Sequence, residues 1–314
     1  MISNYPNGWA DGVTIRGVPI TMTNPGKVFW VNSTTVLADG GVGSSDSGKG
    51  TYQRPFATID YAIGRCTASR GDVIMVMPGH TETISAAAGI ACDVAGVAIV
   101  GLGRGSLRPT ITLDTAATAS LTVSAASVTL HNLLFSANFA DITQIINVTA
   151  TDALISDCEF VATATNMNWV DVIGATGTDN TADALTVSGC RAFGLDAANN
   201  GFMLIANNID RMWIEGNSVV HDHANATAFI THATGGIMTN AMIKDNNYMS
   251  LLTAVDAIVN NDVTTNSGFA IGNKASHADT AAEVLVDADG LGLFDNLGTA
   301  VITASGYILP AIDS

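Results

Sequence analysis

One short apolar segment recurs seven times between Val97 and His277 and decides the fold: Ala98-Ile99-Val100, Val128-Thr129-Leu130, Ala153-Leu154-Ile155, Leu185-Thr186-Val187, Met212-Trp213-Ile214, Ala241-Met242-Ile243 and Phe269-Ala270-Ile271. Each segment has the length and composition of a short β-strand. Their last residues are 30, 25, 32, 27, 29 and 28 positions apart. Self-similarity at such a period is typical of a solenoid or a repeat array.

A turn residue follows each segment from the second onward by two positions: Asn132, Asp157, Gly189, Gly216, Asp245 and Asn273. These residue types tolerate a left-handed backbone, which predicts a sharp corner in every repeat. Three positions later a mostly apolar column begins a second strand: Phe135, Phe160, Ala192, Val219, Tyr248 and Ser276. Upstream strand signals such as Ile146-Asn147-Val148 add a further strand. Each repeat is therefore predicted to be one coil of an all-β parallel β-helix.

Stacking of the coils predicts one inward-facing column, formed by the last residue of each segment: Val100, Leu130, Ile155, Val187, Ile214, Ile243 and Ile271. Equivalent strands of successive coils would pair in parallel at about 4.8 Å, so that like residues lie over one another. Each coil needs its neighbours to bury its apolar face. Cys158 and Cys190 fall at one position of the repeat and are predicted to be stacked, reduced interior thiols.

The composition suits a narrow stacked interior and restricts the partners. Among 314 residues, 47% are hydrophobic but only 6% are aromatic and 13% charged. A net charge of -16 opposes binding to nucleic acid or to an anionic membrane, so neither is an expected partner. The N-terminus has no signal-peptide pattern and no apolar run is long enough to span a bilayer. We expect synthesis and folding in the cytoplasm.

Three parts of the chain are distinguished. Residues 1–54 form an N-terminal arm with a first strand and loop, residues 55–277 form the solenoid, and residues 278–314 leave the repeat. Ile59, Ile63 and Cys66 lie at helical spacing and predict a short helix within 55–66 that caps the first coil. The extended C-terminal segment is predicted either to cover the last coil or to lie between subunits.

Three stretches resemble a known family. Pro55-Phe56-Ala57-Thr58-Ile59-Asp60-Tyr61-Ala62-Ile63 and Gly71-Asp72-Val73-Ile74-Met75-Val76-Met77-Pro78-Gly79-His80-Thr81-Glu82, followed by Val97 to Gly103, resemble the opening of pectate-lyase-like right-handed parallel β-helix proteins. The opening Tyr5-Pro6-Asn7-Gly8 with residues 12–19 is similar to tailed-bacteriophage virion proteins of the head-decoration or fiber kind. Such a resemblance implies a right-handed solenoid and a homotrimer on a phage particle.

The function expected from this resemblance is that of a non-enzymatic virion structural protein on the capsid surface. Its partners would be the major capsid protein or another virion protein. The alternative is a tail spike or fiber that binds or depolymerises host surface polysaccharide, which makes a host glycan the other candidate partner.

Residues 1–27 are too rich in glycine and proline to bury much area alone, so they are predicted to become ordered against a partner. The predicted attachment residues are Val13, Ile15, Arg16, Val18 and Ile20.

No catalytic residue, metal site or cofactor is predicted. The loop Gly43 to Gly50 fits a phosphate-binding pattern except at Gly50, where a Ser or Thr belongs, and no helix opens after it. Three alternative sites are considered: a groove or Ca²⁺ site, a metal site and a sugar-stacking face. Their candidate residues are, in that order, Asp171, Asp179, Asp183 and Asp196; His221, His223 and His232; and Trp169, Trp213 and Tyr248.

Overall fold

The computed structural model describes a solenoid built from three long sheets. It covers residues 13–15, 18–20, 26–33, 45–164, 166–194, 201–221, 229–232, 236–250, 259–261, 265–277, 287–288, 290–300 and 307–308. Each coil contributes one strand to each sheet, and the strands of successive coils pair in parallel register. The predicted all-β, right-handed parallel β-helix is confirmed.

The first sheet contains the strands that carry the recurring segment. Its ten strands, in spatial order, are Val28–Val31, Val73–Val76, Ala98–Gly101, Thr129–His131, Leu154–Ser156, Thr186–Ser188, Trp213–Glu215, Ala241–Lys244, Gly268–Ile271 and Leu291–Phe294. The inward residues of eight consecutive strands form one fully buried column: Ile74, Ile99, Leu130, Ile155, Val187, Ile214, Ile243 and Ala270.

This column corrects the predicted one at both ends. Ile99 takes the place predicted for Val100, and Ala270 takes the place predicted for Ile271. In both segments two adjacent residues are apolar, so hydrophobicity alone cannot choose which of them faces inward. The predicted corner residue of the last of these coils is wrong for the same reason. Its left-handed residue is Gly272 (φ 64°) and not Asn273.

The second sheet also has ten strands. They are Thr81–Ile84, Thr110–Leu113, Leu134–Ala137, Glu159–Ala162, Arg191–Phe193, Ser218–His221, Asn247–Ser250, Lys274–His277, Leu297–Ala300 and Tyr307–Ile308. The last of these pairs antiparallel with its neighbour. Aromatic rings stack in the interior, and the centroids of Phe135 and Phe160 lie 5.3 Å apart.

The third sheet closes each coil with eight strands: Ile90–Cys92, Leu121–Val123, Ile142–Val148, Trp169–Ala175, Gly201–Ile205, Ile230–His232, Val259–Asn261 and Asp287–Ala288. Two smaller ladders complete the described strands. One is a parallel pair, Ile209–Asp210 with Met238–Thr239, and the other is an antiparallel hairpin of Val13–Ile15 with Val18–Ile20. A 3₁₀ turn covers Gly105–Leu107.

The parallel ladders extend beyond the solenoid limits predicted from the sequence. Val28–Val31 already pairs with Val73–Val76, and Leu291–Phe294 pairs with Gly268–Ile271. The stacking therefore continues past His277 into the segment that was expected to leave the repeat. The sequence pattern does not reveal this coil, because Gly292 interrupts the apolar residues of the strand Leu291–Phe294.

A short helix, Ile59–Ile63, covers the first coil as predicted, although it is shorter than the 55–66 range. Thr58 caps it, since its hydroxyl accepts a hydrogen bond from the Tyr61 N–H. Ile59, Ala62 and Ile63 are buried. The helix thereby removes from solvent the apolar end that an uncovered coil would expose.

The corner between the first and second sheets is a single left-handed residue in seven coils: Asn132, Asp157, Gly189, Gly216, Asp245, Gly272 and Asp295. The next residue points inward and forms a column whose chemistry changes along the solenoid: Leu133, Cys158, Cys190, Asn217, Asn246, Asn273 and Asn296. We call the last four the asparagine ladder. Cys158 and Cys190 are free and buried, as predicted, and burial raises the pKa of the Cys190 thiol.

Candidate functional site

A groove opens along the corner between the first and second sheets. The connection after strand Ala98–Gly101 runs from Leu102 to Pro109, whereas the equivalent connection after Thr129–His131 is only Asn132 and Leu133. The longer connection supplies one wall of the groove, and the tight corners of the next three coils supply the rest. The cavity is about 520 Å³ and is lined by Gly103, Arg104, Arg108, His131, Asn132, Asp157, Cys158, Gly189 and Arg191.

Asn132 and Gly189 determine the shape of the groove. The Asn132 side-chain N–H₂ donates to the carbonyl oxygens of Gly101 (2.7 Å) and Gly103 (3.1 Å), which ties the long connection to the next coil. Gly189 is left-handed (φ 64°), and a Cβ there would come within 2.7 Å of Asp157 Oδ1. Glycine at this position therefore leaves room around the Asp157 carboxylate.

Three arginines give the groove a local positive charge in an acidic protein. Arg104, Arg108 and Arg191 are three of only 12 basic residues in the chain. Arg108 Nη1 donates to Glu159 Oε2 at 2.7 Å. Arg104 and Arg191 are exposed and form no ion pair with any residue that the structure describes. These two guanidinium groups are available to an anionic ligand.

His131 is the one titratable ring in this groove. Its Nδ1 lies 2.9 Å from Ser156 Oγ and 3.5 Å from Asp157 Oδ2, so the ring is held by the next coil. Burial lowers the pKa of His131 from its ordinary value; the Asp157 carboxylate partly opposes this shift, and Arg108 adds to it. The imidazole is therefore neutral at neutral pH. With Nδ1 engaged, Nε2 is the nitrogen that can take a proton.

The predicted attachment residues are not part of this site. Val13, Ile15, Val18 and Ile20 lie in the N-terminal hairpin, and Arg16 lies outside the described residues. Their role in attachment remains a prediction.

The three described aspartates among the candidates for a groove or Ca²⁺ site, Asp171, Asp179 and Asp183, are not gathered into one. Asp171 is buried in the third sheet, with 4% of its surface exposed. Asp179 and Asp183 accept hydrogen bonds from the backbone N–H groups of Asn208 and Asp210, which is the role of turn residues. Asp196 lies outside the described residues. In the parts of the chain that the structure covers, no three His, Cys, Asp or Glu side chains are close enough to share a metal ion.

The aromatic and histidine candidates are mostly interior. Trp169 and His221 are fully buried, and their ring centroids lie 5.7 Å apart. Tyr248 packs against His221 at 6.3 Å. His223 lies outside the described residues. Trp213 alone of the three aromatic candidates is substantially exposed, at 41%.

Sequence reasoning missed the groove residues. Arg108, His131 and Asp157 are 23 and 26 positions apart, and only the pairing register of successive coils brings them together. Asp157 is a corner residue, as predicted, but the sequence did not predict its contact with His131.

No helix in the described residues is long and apolar enough to cross a membrane.

Comparison with known proteins supports the fold. No protein-family model matches the chain, and no curated protein matches it. Among solved structures, a protein described as a rhamnogalacturonan lyase superposes with a TM-score of 0.58 at 12% identity. The match covers 86% of this chain and 73% of that one. The chain thus has the β-solenoid fold of pectate-lyase-like proteins.

The prediction that the chain is not an enzyme is contradicted by this likeness to a polysaccharide-degrading enzyme. That prediction came from the resemblance to virion structural proteins. A pair of carboxylates near the scissile bond is the arrangement that glycoside hydrolysis uses. An elimination reaction needs a base and a positive group near a carboxylate instead. His131 and the groove arginines are residues of those two kinds.

Proposed function

We propose that the protein binds an acidic polysaccharide in the corner groove and cleaves it by elimination. The observation that carries this proposal is the juxtaposition of a neutral imidazole, His131, with the exposed arginines 104 and 191 in one groove. Successive coils are about 4.8 Å apart, so Arg191 lies two coils, or about 10 Å, along the axis from His131. This span accommodates a sugar chain that runs along the solenoid.

The arginines bind the carboxylate groups of the sugar chain. A net charge of -16 repels polyanions at long range, so binding requires a local cluster of cations. Arginine is suited to this role because its guanidinium group donates two parallel hydrogen bonds to one carboxylate. Neutralising the carboxylate also makes the neighbouring C–H bond more acidic.

His131 acts as the base in the cleavage step. Its Nε2 removes the proton from the carbon next to the sugar carboxylate. The electron pair of that C–H bond forms a carbon–carbon double bond, and the glycosidic carbon–oxygen bond at the next carbon breaks. The leaving oxygen takes a proton from water and His131 returns its proton to the solvent, so the products are an unsaturated uronate end and a new hydroxyl end. No oxidant or reductant is consumed.

Rhamnogalacturonan is the first substrate to test, since a protein of this fold is named for it. Polygalacturonate and alginate supply other acidic polysaccharides. Product is measured from the ultraviolet absorbance of the unsaturated end. We expect native protein to give product, with activity that falls on the acidic side as His131 protonates. Because the pKa of His131 is lowered, this fall should lie below pH 6.5.

Two groove variants distinguish cleavage from binding. His131→Ala should lower kcat by at least roughly 100-fold with little change in KM, because the base is lost but the arginines remain. Arg191→Gln should mainly raise KM. Arg54→Gln, which removes an exposed arginine outside the groove, is the matched control and should behave like native protein. Absence of product from every acidic polysaccharide, or unchanged kinetics in both groove variants, would refute the proposal.

We further propose that this activity belongs to a tailed-phage virion protein of the spike or fiber kind, a homotrimer that acts on host surface polysaccharide. Support comes from the sequence resemblance of residues 5–8 and 12–19. Residues 1–27 would then attach it to a capsid or other virion protein. Deleting residues 2–20 should leave the melting temperature of the solenoid nearly unchanged and abolish incorporation into particles. Full incorporation of the truncated protein would exclude this segment as the anchor.

A further inference from the structure

An exposed indole lies on the first sheet just beyond the end of the corner groove. The groove ends at Gly189 and Arg191, and the next coil places Trp213 opposite Thr186 and Glu215 opposite Ser188. Trp213 is 41% exposed although its neighbours on the inward face are buried. The exposed part of this indole is a flat apolar surface that a ligand can cover.

The indole is held in place by a network of polar contacts. Trp213 Nε1 donates to Glu215 Oε2 at 2.8 Å, and Lys244 Nζ donates to Glu215 Oε1 at 2.9 Å. Lys244 also lies 3.3 Å from Asp245 Oδ2. Both oxygens of Glu215 are thus engaged, one by the indole and one by the next coil. A ring fixed in this way loses little conformational entropy when a ligand covers it.

The surface between the groove and Trp213 is open. The corner of this coil is Gly216, and a Cβ built there would have no atom within 4 Å. The corner before it is Gly189, so two successive corners carry no side chain. Beyond Trp213 the same outward column continues with Met242 and Phe269, and Phe269 is 46% exposed. A ligand that leaves the groove along the axis passes Glu215 and Gly216, and this apolar column flanks that path on the first sheet.

We propose that Trp213 is a stacking subsite for the same acidic polysaccharide after it leaves the groove. This inference rests on the proposed function. The coils repeat at about 4.8 Å, and a pyranose unit of an extended polysaccharide advances by a similar distance, so sugars and coils stay in step. An extended peptide advances about 3.3 Å per residue and would not. The C–H face of a sugar ring is apolar and packs on an aromatic face, as in other aromatic contacts.

The test compares binding of rhamnogalacturonan oligosaccharides of graded length by calorimetry, using His131→Ala as the background to prevent cleavage. Trp213→Ala should bind the long oligosaccharides about tenfold more weakly, which corresponds to about 1.4 kcal/mol. Short oligosaccharides, which occupy only the groove, should bind the Trp213→Ala variant as tightly as they bind the His131→Ala background protein. Phe193→Ala is the control, because Phe193 is similarly exposed, at 45%, but lies on the second sheet.

The outcomes separate this inference from the function on which it rests. If Trp213→Ala binds every length like its background while Arg191→Gln weakens binding, the subsite is wrong and the groove stands. If the background protein binds none of the oligosaccharides, both proposals fall. If Trp213→Ala converts a native oligomer into a monomer in sedimentation experiments without altering oligosaccharide binding, the indole contacts a second copy of the chain, and the subsite is also overturned.

Discussion

Replacing Asn246 by alanine is expected to lower the free energy of unfolding by about 4 kcal/mol, because it interrupts a buried chain of hydrogen bonds. The Asn246 amide Nδ2 donates to the carbonyl of Ile214 (3.0 Å) and to Asn273 Oδ1 (2.9 Å). Its Oδ1 accepts from the backbone N–H and the side-chain amide of Asn217. Only 2% of the residue is exposed.

Truncation removes one hydrogen-bond partner from each of these buried groups. The Asn217 N–H and amide lose an acceptor, and the Ile214 carbonyl loses a donor. Each unsatisfied buried group costs roughly 1–3 kcal/mol, and a cavity adds to the loss. Such a variant differs from an ordinary surface change, which is usually within about 0.5 kcal/mol.

The adjacent residue provides the control. Asn247 is exposed on the second sheet, so Asn247→Ala should change stability by less than about 0.5 kcal/mol. Both variants are compared with native protein by urea denaturation followed by circular dichroism. Equal midpoints for Asn246→Ala and Asn247→Ala would show that the asparagine ladder adds nothing to stability.

Asp171→Asn is expected to stabilise the protein at alkaline pH by up to about 4 kcal/mol, because the native state then no longer has to bury a carboxylate whose pKa is raised to about 7. Burial raises the pKa of Asp171 from 3.8 to about 7, and a hydrogen bond from the Gly201 N–H only partly offsets this effect. The folded protein must therefore hold a buried charge above pH 7. Asparagine has a similar shape and carries no charge.

The raised pKa also fixes the direction of the pH dependence. Between about pH 4 and pH 7 the folded state retains a proton that the unfolded state has lost, so the Asp171 contribution makes the native protein less stable as pH rises. The advantage of Asp171→Asn should be absent below pH 4 and complete above pH 7. Denaturation at a series of pH values measures it, and Asp93→Asn, at an exposed site, is the control. A constant difference across this range would contradict a raised pKa.

The repeat made the architecture predictable. Left-handed corner residues at Asn132, Asp157, Gly189, Gly216 and Asp245 follow from residue type and spacing, and the structure places all five at positive φ. Hydrophobicity fixed the middle of the inward column but not its ends, where two apolar residues are adjacent. Side-chain period alone cannot decide which of two such neighbours faces the core.

The site was less accessible to sequence reasoning because it depends on contacts between coils. His131 and Arg108 become neighbours only when the lengths of two turns are known, and the long connection after Gly101 has no repeat counterpart. The asparagine ladder did have a signal, in Gly216-Asn217, Asp245-Asn246, Gly272-Asn273 and Asp295-Asn296. Aligning Asn273 with the corner residues concealed it, although Asn273 occupies the ladder position.

The change from Leu133, Cys158 and Cys190 to four asparagines gives the two halves of the solenoid different responses to temperature. Apolar contacts weaken on cooling because burying them carries a large heat-capacity change, whereas exposing polar groups on unfolding changes the heat capacity in the opposite direction. The coils that contain the asparagine ladder thus have the flatter stability curve at this column. We therefore expect cooling to weaken the contribution of this column more in the N-terminal coils, whose corners line the groove, than in the coils near the C-terminus.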